Sequence, residues 1–524
     1  MKTRRFHEGL ILKSSQIKSG AILSYCALAL GSIITLIYTP YMLRMLGQAE
    51  YGLFSLVNTT IAYLTILDFG FGTAIVRYTA KYRAEQNKSM EEKLHGMFLV
   101  LYIGIGIFAF ILALILLFNL NNLFSTTLTS VELSTAKVLM WLAAANLAMS
   151  FPFSVYASII TAHERFIFAK TTHLVRLAIN PFMMVAVLIL GYKAVGMILV
   201  TTALNLIFNI LNVYYCKRHL HIKMRFSGFD IPLLKEIGIY SFFVFLNLIV
   251  DRLYWSTGQF LLGIFVGTVA VAIYAIGIQF VTMLYMPFSG AISGLFLPRV
   301  TQISIKESAS HELTDLFVRV GRIQFMMLAL VLTGFGLYGQ QFINLWAGAE
   351  YSSSYLVAMT LMVPLTVPLI QNLGISILQA KNMHAFRSVI YLVIAVINVA
   401  ISIPLIKLWG PIGCAIGTAL SLSAGQIVIM NIYYRTHLNL DIRKFWFQIM
   451  KLIPAVLMPC SLGYLMLKHL PSIHMLSVAI SVILYTAIYF FSMYFFGMNE
   501  YEKQVLRHPL NRIVNKFQLQ RDER

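Results

Sequence analysis

Charge is scarce in this sequence, and acidic residues are scarcer than basic ones. Only 11% of the 524 residues are charged, whereas a soluble domain carries about a quarter. So few charges cannot solvate the surface of a water-soluble protein of this length. Hydrophobic residues make up 59% of the chain, and we expect lipid to be the solvent for most of them.

Cysteine is also rare, and the common nucleotide and metal motifs are missing. The cysteines have no paired spacing, which excludes a disulfide framework or a zinc site. Neither G-x-x-x-x-G-K-[ST] nor H-E-x-x-H occurs, so we expect no cofactor, no metal and no direct use of ATP. An ion gradient or mass action must then supply the energy for any transport across the membrane. The cysteines are Cys26, Cys216, Cys414 and Cys460.

The formal net charge of +20 indicates membrane topology rather than nucleic-acid binding. The chain has no long basic run and no aromatic–basic RNA motif, so no nucleic-acid partner is expected. With both termini in the cytoplasm, most Lys and Arg fall on cytoplasmic loops and span ends, as the positive-inside rule requires. The exceptions lie outside (Arg44, Lys137, Lys193, Lys407 and Lys468) or within spans (Arg176 and Arg252).

About fourteen stretches are long and apolar enough to cross a bilayer, since a spanning helix needs about 20 such residues. The fold class is therefore an all-α, polytopic membrane protein. The first stretch is too long for a cleavable signal peptide and reads as a retained span. The predicted spans are 20–46, 51–78, 97–118, 136–161, 166–191, 195–216, 237–266, 269–297, 323–342, 355–378, 389–406, 412–434, 449–467 and 475–496.

The chain also repeats itself. The segment Asn212–Tyr215, followed by His219, recurs as Asn431–Tyr434, followed by His437, 218 or 219 residues later. Each half holds six spans, an even number, which predicts two six-helix lobes in a parallel repeat plus two C-terminal helices. The predicted divisions are a cytoplasmic tail (1–19), an N-lobe (20–216), a cytoplasmic linker (217–236), a C-lobe (237–434), spans thirteen and fourteen (449–496) and a cytoplasmic tail (497–524).

Several short motifs resemble those of a known superfamily. They are Leu46–Phe54 (LGQAEYGLF), Leu67–Gly72 (LDFGFG), Leu262–Gly267 (LGIFVG) and Phe342–Gly348 (FINLWAG). With these motifs the chain resembles the polysaccharide-transport branch of the multidrug/oligosaccharidyl-lipid/polysaccharide exporter superfamily, the O-antigen and capsule repeat-unit flippases. Many members of that family carry an acidic residue late in span seven, where this chain has Gln259.

The resemblance implies a fold and a cargo. Two lobes would surround a central cavity that opens alternately to either side of a bacterial inner membrane. The cargo would be a lipid-linked oligosaccharide, often on undecaprenyl diphosphate, for surface polysaccharide biosynthesis. Membrane lipid, a coupling H⁺ or Na⁺ and a polysaccharide polymerase would be the other partners.

Span seven carries the first candidate binding residues, because charge at mid-membrane is costly and therefore suggests function. Asp251 and Arg252 lie near its midpoint. Asn247 shares one helix face with Asp251, while Arg252 and Gln259 belong to an adjacent polar stripe. These residues predict a wet, cavity-facing surface. The alternative is that Asp251 pairs with another helix and locks the bundle.

Span five and span two carry the other candidates. His173, Arg176 and Asn180 share one face of span five, and the planar guanidinium of Arg176 suits a diphosphate. Arg176 can instead snorkel towards the cytoplasmic surface. Asp68, beside Gly70 in span two, can bind a proton or Na⁺, as can Asp251. The alternative for Asp68 is a structural role, as a cap or as a local partner of Arg77.

Three functions are weighed against these features, and two are consistent with them. The leading interpretation is a flippase for a lipid-linked oligosaccharide, working by alternating access. An ion-coupled multidrug antiporter of the same superfamily would share the fold; carboxylates in an aromatic pocket favour it, whereas a cationic cavity favours the flippase. A glycan polymerase or ligase would need a large outward loop with catalytic residues, and the longest outward loops, 119–135 and 344–354, are too short. We therefore expect no enzyme.

Overall fold

The computed structural model describes residues 2–226, 228, 230–304, 309–381, 383–469 and 474–504. In these residues every regular element is helical and none is a strand, which confirms the all-α prediction. The first ten α-helices are α1 (Lys2–Leu46), α2 (Gln48–Leu64), α3 (Phe71–Ala84), α4 (Lys88–Phe118), α5 (Leu120–Phe124), α6 (Ser130–Ala162), α7 (Phe166–Ile189), α8 (Lys193–Arg218), α9 (Ile231–Trp255) and α10 (Thr257–Phe265).

The later part of the chain continues in the same way. It contains α11 (Thr268–Phe280), α12 (Pro287–Ser304), α13 (Ala309–Trp346), α14 (Ser354–Ile370), α15 (Leu373–Ala380), α16 (His384–Leu422), α17 (Met430–Thr436), α18 (Ile442–Met450), α19 (Ile453–His469) and α20 (Met475–Ser492). Short 3₁₀ turns join some of them (Thr65–Asp68 and Ala349–Tyr351), and π-helical turns join or follow others (Val281–Tyr285, Ser423–Ile429 and Met493–Gly497).

Twelve helical stretches among the described residues are long and apolar enough to cross a membrane. They agree with the predicted spans, with two differences that make the count of fourteen approximate. Predicted span seven is not among the twelve stretches; it corresponds to α9 and α10, which Ser256 separates. Predicted spans eleven and twelve form one stretch, Phe386–Thr436, in which Gly410 has a non-helical backbone.

The chain divides into two compact units. Unit 1 comprises Met1–Ala275 and Tyr391–Cys414. One of its buried clusters is built mainly from α3, α4 and α6, with Phe98, Tyr102 and Val155 almost fully buried. The boundaries of this unit differ from those of the predicted N-lobe (20–216). The two lobes predicted from the repeat stay a prediction.

Unit 2 comprises Ile276–Ile390 and Ala415–Arg524. One of its buried clusters joins α13, α19 and α20 through Tyr338, Tyr485 and Tyr489. The predicted spans thirteen and fourteen are therefore packed into the core of this unit.

Two helices of unit 1 are interrupted near their centres. After α2 the chain makes a 3₁₀ turn, Thr65–Asp68, and then passes through left-handed backbone at Phe69 (φ 50°) and Gly70 (φ 75°) before α3 begins. The second is a milder irregularity at Ser256, between α9 and α10, where the backbone stays right-handed (φ −105°, ψ −30°) and the Ser256 N–H still donates to Arg252 O at 2.9 Å. Broken helices at membrane depth expose backbone polar groups and are tolerated where they are buried in protein or line a water-filled cavity. These two positions are therefore the candidates for a functional site.

Candidate functional site

The break between α2 and α3 holds Asp68 in a network of donors. The Tyr102 hydroxyl, at the middle of α4, donates to Asp68 Oδ1 at 2.5 Å. The backbone N–H groups of Gly70 and Gly72 also lie close to the Asp68 carboxylate. Asp68 therefore caps the N-terminus of α3, where a negative charge is favoured by the helix dipole. The structure gives it the local capping contact considered from the sequence, with Tyr102 as an additional partner.

The second break contacts the first one. Arg252, near the end of α9, donates from Nη2 to Thr65 Oγ1 at 3.0 Å. The Tyr63 hydroxyl donates to Thr257 Oγ1, at the start of α10, at 2.6 Å. Arg252 therefore contacts the first residue of the 3₁₀ turn, Thr65, and Asp68 is the last residue of the same turn. A guanidinium and a carboxylate flank this turn near the centre of the span.

The neighbouring candidates on α9 and α10 point elsewhere. Asp251 and Asn247 have exposed side chains. Gln259 is buried, and its Oε1 accepts hydrogen bonds from Ser55 Oγ (3.2 Å) and from Thr59 Oγ1 of α2. The polar stripe predicted from Arg252 to Gln259 is thus not one continuous surface. Gln259 is hydrogen-bonded to α2 and holds α10 against that helix.

A separate polar array lies in the first six spans. Arg176 donates from Nη2 to Asn205 Oδ1, and Asn205 Nδ2 donates to Asn146 Oδ1 at 3.0 Å. Each residue lies near the middle of its helix, α7, α8 and α6 respectively. His173 is exposed and Asn180 is half-buried on the same helix as Arg176. This array places a guanidinium near mid-membrane, with polar partners that hold it there.

Asn146, Asn205, Tyr102 and Thr65 escaped the sequence analysis. Single Asn, Tyr and Thr residues in apolar spans are common, and nothing local marks the one that contacts a charge. The signal that can find Asn146, Asn205 and Thr65 is depth, because each lies near the centre of its predicted span, as do Arg176, Arg252 and Asp68. Tyr102 lies near the start of its predicted span, and only the longer α4 places it at the middle of a helix.

These groups favour binding of a polar ligand over covalent chemistry. A guanidinium has five N–H donors. Arg252 and Arg176 each use one of these donors in the side-chain contacts described above. Among the described residues no group of three or more His, Cys, Asp or Glu can hold a metal ion. Charged and polar groups near the middle of an interrupted span are typical of membrane transporters, in which such groups bind a substrate near the bilayer midplane.

Comparison with known proteins supports this class. A family model described as "Polysaccharide biosynthesis protein" matches residues 17–304, more than half of the chain. The chain therefore belongs to this polysaccharide biosynthesis family. Comparison with curated protein sequences returned no match.

Solved structures of membrane transporters share the fold. The lipid II flippase MurJ, in an inward closed conformation, is 12% identical with a TM-score of 0.70, covering 90% of this chain and 97% of that chain. A multidrug resistance MATE family transporter of the MOP superfamily is 14% identical with a TM-score of 0.59, covering 75% and 93%. A variant of the Vibrio cholerae MATE transporter VcmN is 16% identical with a TM-score of 0.53, covering 81% and 99%. Family and fold are those of membrane transporters and flippases.

Proposed function

We propose that this protein is a flippase that moves a lipid-linked oligosaccharide repeat unit, carried on undecaprenyl diphosphate, across a bacterial inner membrane for surface polysaccharide biosynthesis. The observation that carries the proposal is the pair of guanidinium groups, Arg252 and Arg176, near the centres of their spans and held by uncharged partners. Arginine forks match the paired oxygens of a diphosphate. Family membership agrees with this substrate class.

The proposal answers a specific physical problem. A glycan headgroup carries many hydroxyls and a charged diphosphate, and burying each in hydrocarbon without a partner costs several kcal/mol. The lipid tail needs no such help. The cationic and amide groups of unit 1 replace the water that the headgroup loses, while the tail stays in the bilayer. Asp68 and Asp251 are the candidate sites for a coupling H⁺ or Na⁺, and a polysaccharide polymerase is the expected consumer of the product.

Depletion of the protein tests the function directly. The lipid-linked glycan is labelled from each side of the membrane, in cells and in inverted vesicles. We expect the cytoplasm-facing pool to accumulate and surface polysaccharide to fall. Unchanged polysaccharide would contradict the proposal.

Variants of the two arginines test the site. Arg252→Gln and Arg176→Gln keep hydrogen-bonding capacity but remove the charge, and we expect each to lower transport by about tenfold or more. Arg435→Gln, at an exposed position, is the matched control and is expected to transport normally. Membrane abundance is measured for all three. Normal transport by both test variants would exclude these arginines from the site.

An ion-coupled multidrug antiporter is the second candidate, and the surroundings of Asp68 favour it. The carboxylate contacts Tyr102, and the adjacent Phe69 ring lies 5.0 Å from the ring of Phe245. An acid beside aromatic rings is suited to an organic cation. Heightened sensitivity to cationic drugs after depletion, with polysaccharide unchanged, would favour this function over the flippase.

A further inference from the structure

Helix α18, between α17 and α19, is apolar on the side that packs against the rest of unit 2. Ile442, Phe445 and Ile449 are buried, and the following Leu452 continues the same face. The Phe445 ring packs at 4.7 Å from that of Phe317 of α13. This spacing of three or four residues is that of one face of an α-helix, so the helix is held against the unit by ordinary core packing.

Polar contacts fix the ends and one flank of α18. Asp441 accepts from the Lys444 backbone N–H at 2.9 Å and so caps the helix. The Lys444 ammonium pairs with Asp315 at 2.8 Å, and Trp446 Nε1 donates to Asn431 Oδ1 at 3.2 Å. The helix therefore has one orientation, and what its other face presents is set by the fold.

The opposite face combines exposed apolar and basic side chains. Arg443, Phe447, Met450 and Lys451 are all exposed and follow one another at helical spacing, with Phe447 and Met450 each 61% exposed. The Lys451 ammonium lies 4.6 Å from the centre of the Phe447 ring. Arg443 makes no hydrogen bond or ion pair with any residue that the structure describes.

The nearby acids are already engaged. Asp441 accepts from the backbone of α18 and Asp315 pairs with Lys444, and neither carboxylate forms an ion pair with Arg443 or Lys451. Apolar side chains beside uncompensated cations match the boundary between acyl chains and anionic headgroups, where each Lys or Arg near a negatively charged leaflet adds to the attraction. The charge distribution predicts that this end of the spans faces the cytoplasm, the side on which anionic lipids attract basic segments.

We propose that the exposed face of α18, formed by Arg443, Phe447, Met450 and Lys451, is a binding surface for anionic phospholipid headgroups. The two cations contact the phosphate, and Phe447 and Met450 enter the acyl-chain region beneath it. The bound lipid then stabilises unit 2, because it compensates two charges that the described protein leaves without an acidic partner.

Lipid-dependent thermal stability tests the proposal. The full-length protein in neutral detergent is supplemented with phosphatidylglycerol, with phosphatidylcholine or with inorganic phosphate, and its melting temperature is measured. We expect phosphatidylglycerol alone to raise the melting temperature. The double variant Arg443→Gln, Lys451→Gln should lose about half or more of that shift. Phe447→Ala should also reduce it.

A matched double variant separates this surface from general charge. Lys81→Gln with Lys88→Gln removes the same charge from exposed positions elsewhere, and it should respond to phosphatidylglycerol as the wild type does. A full shift in the Arg443/Lys451 variant would overturn the proposal. No response of the wild type, or an equal response to phosphatidylcholine, would overturn it too. An equal response to inorganic phosphate would show a site for a free anion instead of a lipid.

Discussion

At the scale of single residues, Arg322 has the densest set of contacts among the buried charges described. Its Nε and Nη2 donate to both carboxylate oxygens of Glu502, at 2.6 and 3.0 Å. Its remaining donors contact the backbone carbonyls of Gln448 (2.8 Å) and Gly497 (2.9 Å). One guanidinium on α13 thereby connects the end of α18 with the segment after α20. Both charged side chains are at most 5% exposed.

Removing either member of this pair should destabilise the protein strongly. Arg322→Met leaves the Glu502 carboxylate buried without its partner, and Glu502→Gln leaves the guanidinium uncompensated; each should cost about 3–5 kcal/mol. The double variant Arg322→Met, Glu502→Leu should recover part of the loss because no lone charge remains. Thermal unfolding in detergent measures all three.

Arg319 supplies the control for that series. It lies one turn before Arg322 on α13, and its exposed guanidinium sits 5.0 Å from the Tyr501 ring. Arg319→Gln should cost about 1 kcal/mol or less. Equal losses for Arg319→Gln and Arg322→Met would mean that the buried pair does not stabilise the fold.

At residue level, the sequence singles out the mid-span cations as candidates but does not identify the side chains that contact them. Arg176 and Arg252 are identifiable because a charge in an apolar span is rare. The contact of Arg176 with Asn205 depends on how α7 and α8 pack, and no local pattern encodes that packing. Similarly, Gln259 reads as part of a polar stripe until the break at Ser256 is known. Periodicity identifies candidates; tertiary packing selects their neighbours.

At the scale of elements, the segment between the predicted lobes is more than a linker. Arg225 N donates to Glu92 O at 3.0 Å, and Lys93 pairs with Asp230 at 3.1 Å. Asp230 also caps α9 by accepting from the Leu233 backbone N–H, and these contacts hold the pKa of the Asp230 carboxyl below its usual range. The residues 219–226 therefore form a strap on the end of α4. A sequence of mixed basic and apolar residues does not reveal this docking.

Gly96 makes the docking of the strap possible. A Cβ at Gly96 would lie 2.3 Å from the Arg225 carbonyl oxygen, so Gly96→Ala must displace backbone. We expect the strap to loosen and trypsin to cleave faster after the exposed Lys223 and Arg225 in the intact membrane protein. Limited proteolysis followed by gel analysis measures the rate.

Gly104 is the control on the same helix. A Cβ there meets nothing within 4 Å, so Gly104→Ala should leave the cleavage rate unchanged and stabilise α4 slightly through its higher helix propensity. Unchanged cleavage in Gly96→Ala would show that the strap is not held by this close approach.

At the scale of the whole molecule, side-chain geometry repeats between the two halves at an offset of 218 residues, so that Tyr215 corresponds to Tyr433 and not to Tyr434 as in the sequence match. Phe168 stacks on Tyr215 at 3.7 Å, and Tyr215 lies 4.9 Å from His219. The later half contains the same three-ring stack 218 residues further on, with centroid distances of 4.0 and 4.4 Å, formed by Phe386, Tyr433 and His437. The phenylalanines were not part of the sequence match because one ring in an apolar chain carries no signal by itself.

The number of membrane crossings depends on predicted spans eleven and twelve, which form a single helical stretch in the structure. The stretch Phe386–Thr436 has 51 residues, which as straight helix would be about 77 Å long, against a hydrocarbon core of about 30 Å. Length alone therefore requires two crossings with a reversal between them. Gly410 (φ 56°, ψ −130°) supplies the bend, and the neighbouring Leu408 and Trp409 are exposed there. An exposed Trp409 beside this bend fits the aromatic belt at a membrane–water interface.

Reporter fusions then give a prediction that depends on this reversal. Fluorescent-protein fusions at Lys88, Lys223 and Gln504 should be fluorescent, because these sites lie on the side rich in Lys and Arg. Phosphatase fusions at Thr127, Ser352 and Leu408 should be active, since an odd number of predicted spans separates each of them from the N-terminus. If α16 and α17 crossed only once, Leu408 would lie within the membrane and the fusion at Gln504 would move to the outside. An even number of spans with a turn at Gly410 therefore requires two results together. The fusion at Gln504 must be fluorescent, and the phosphatase at Leu408 must be active. Any other combination contradicts the turn.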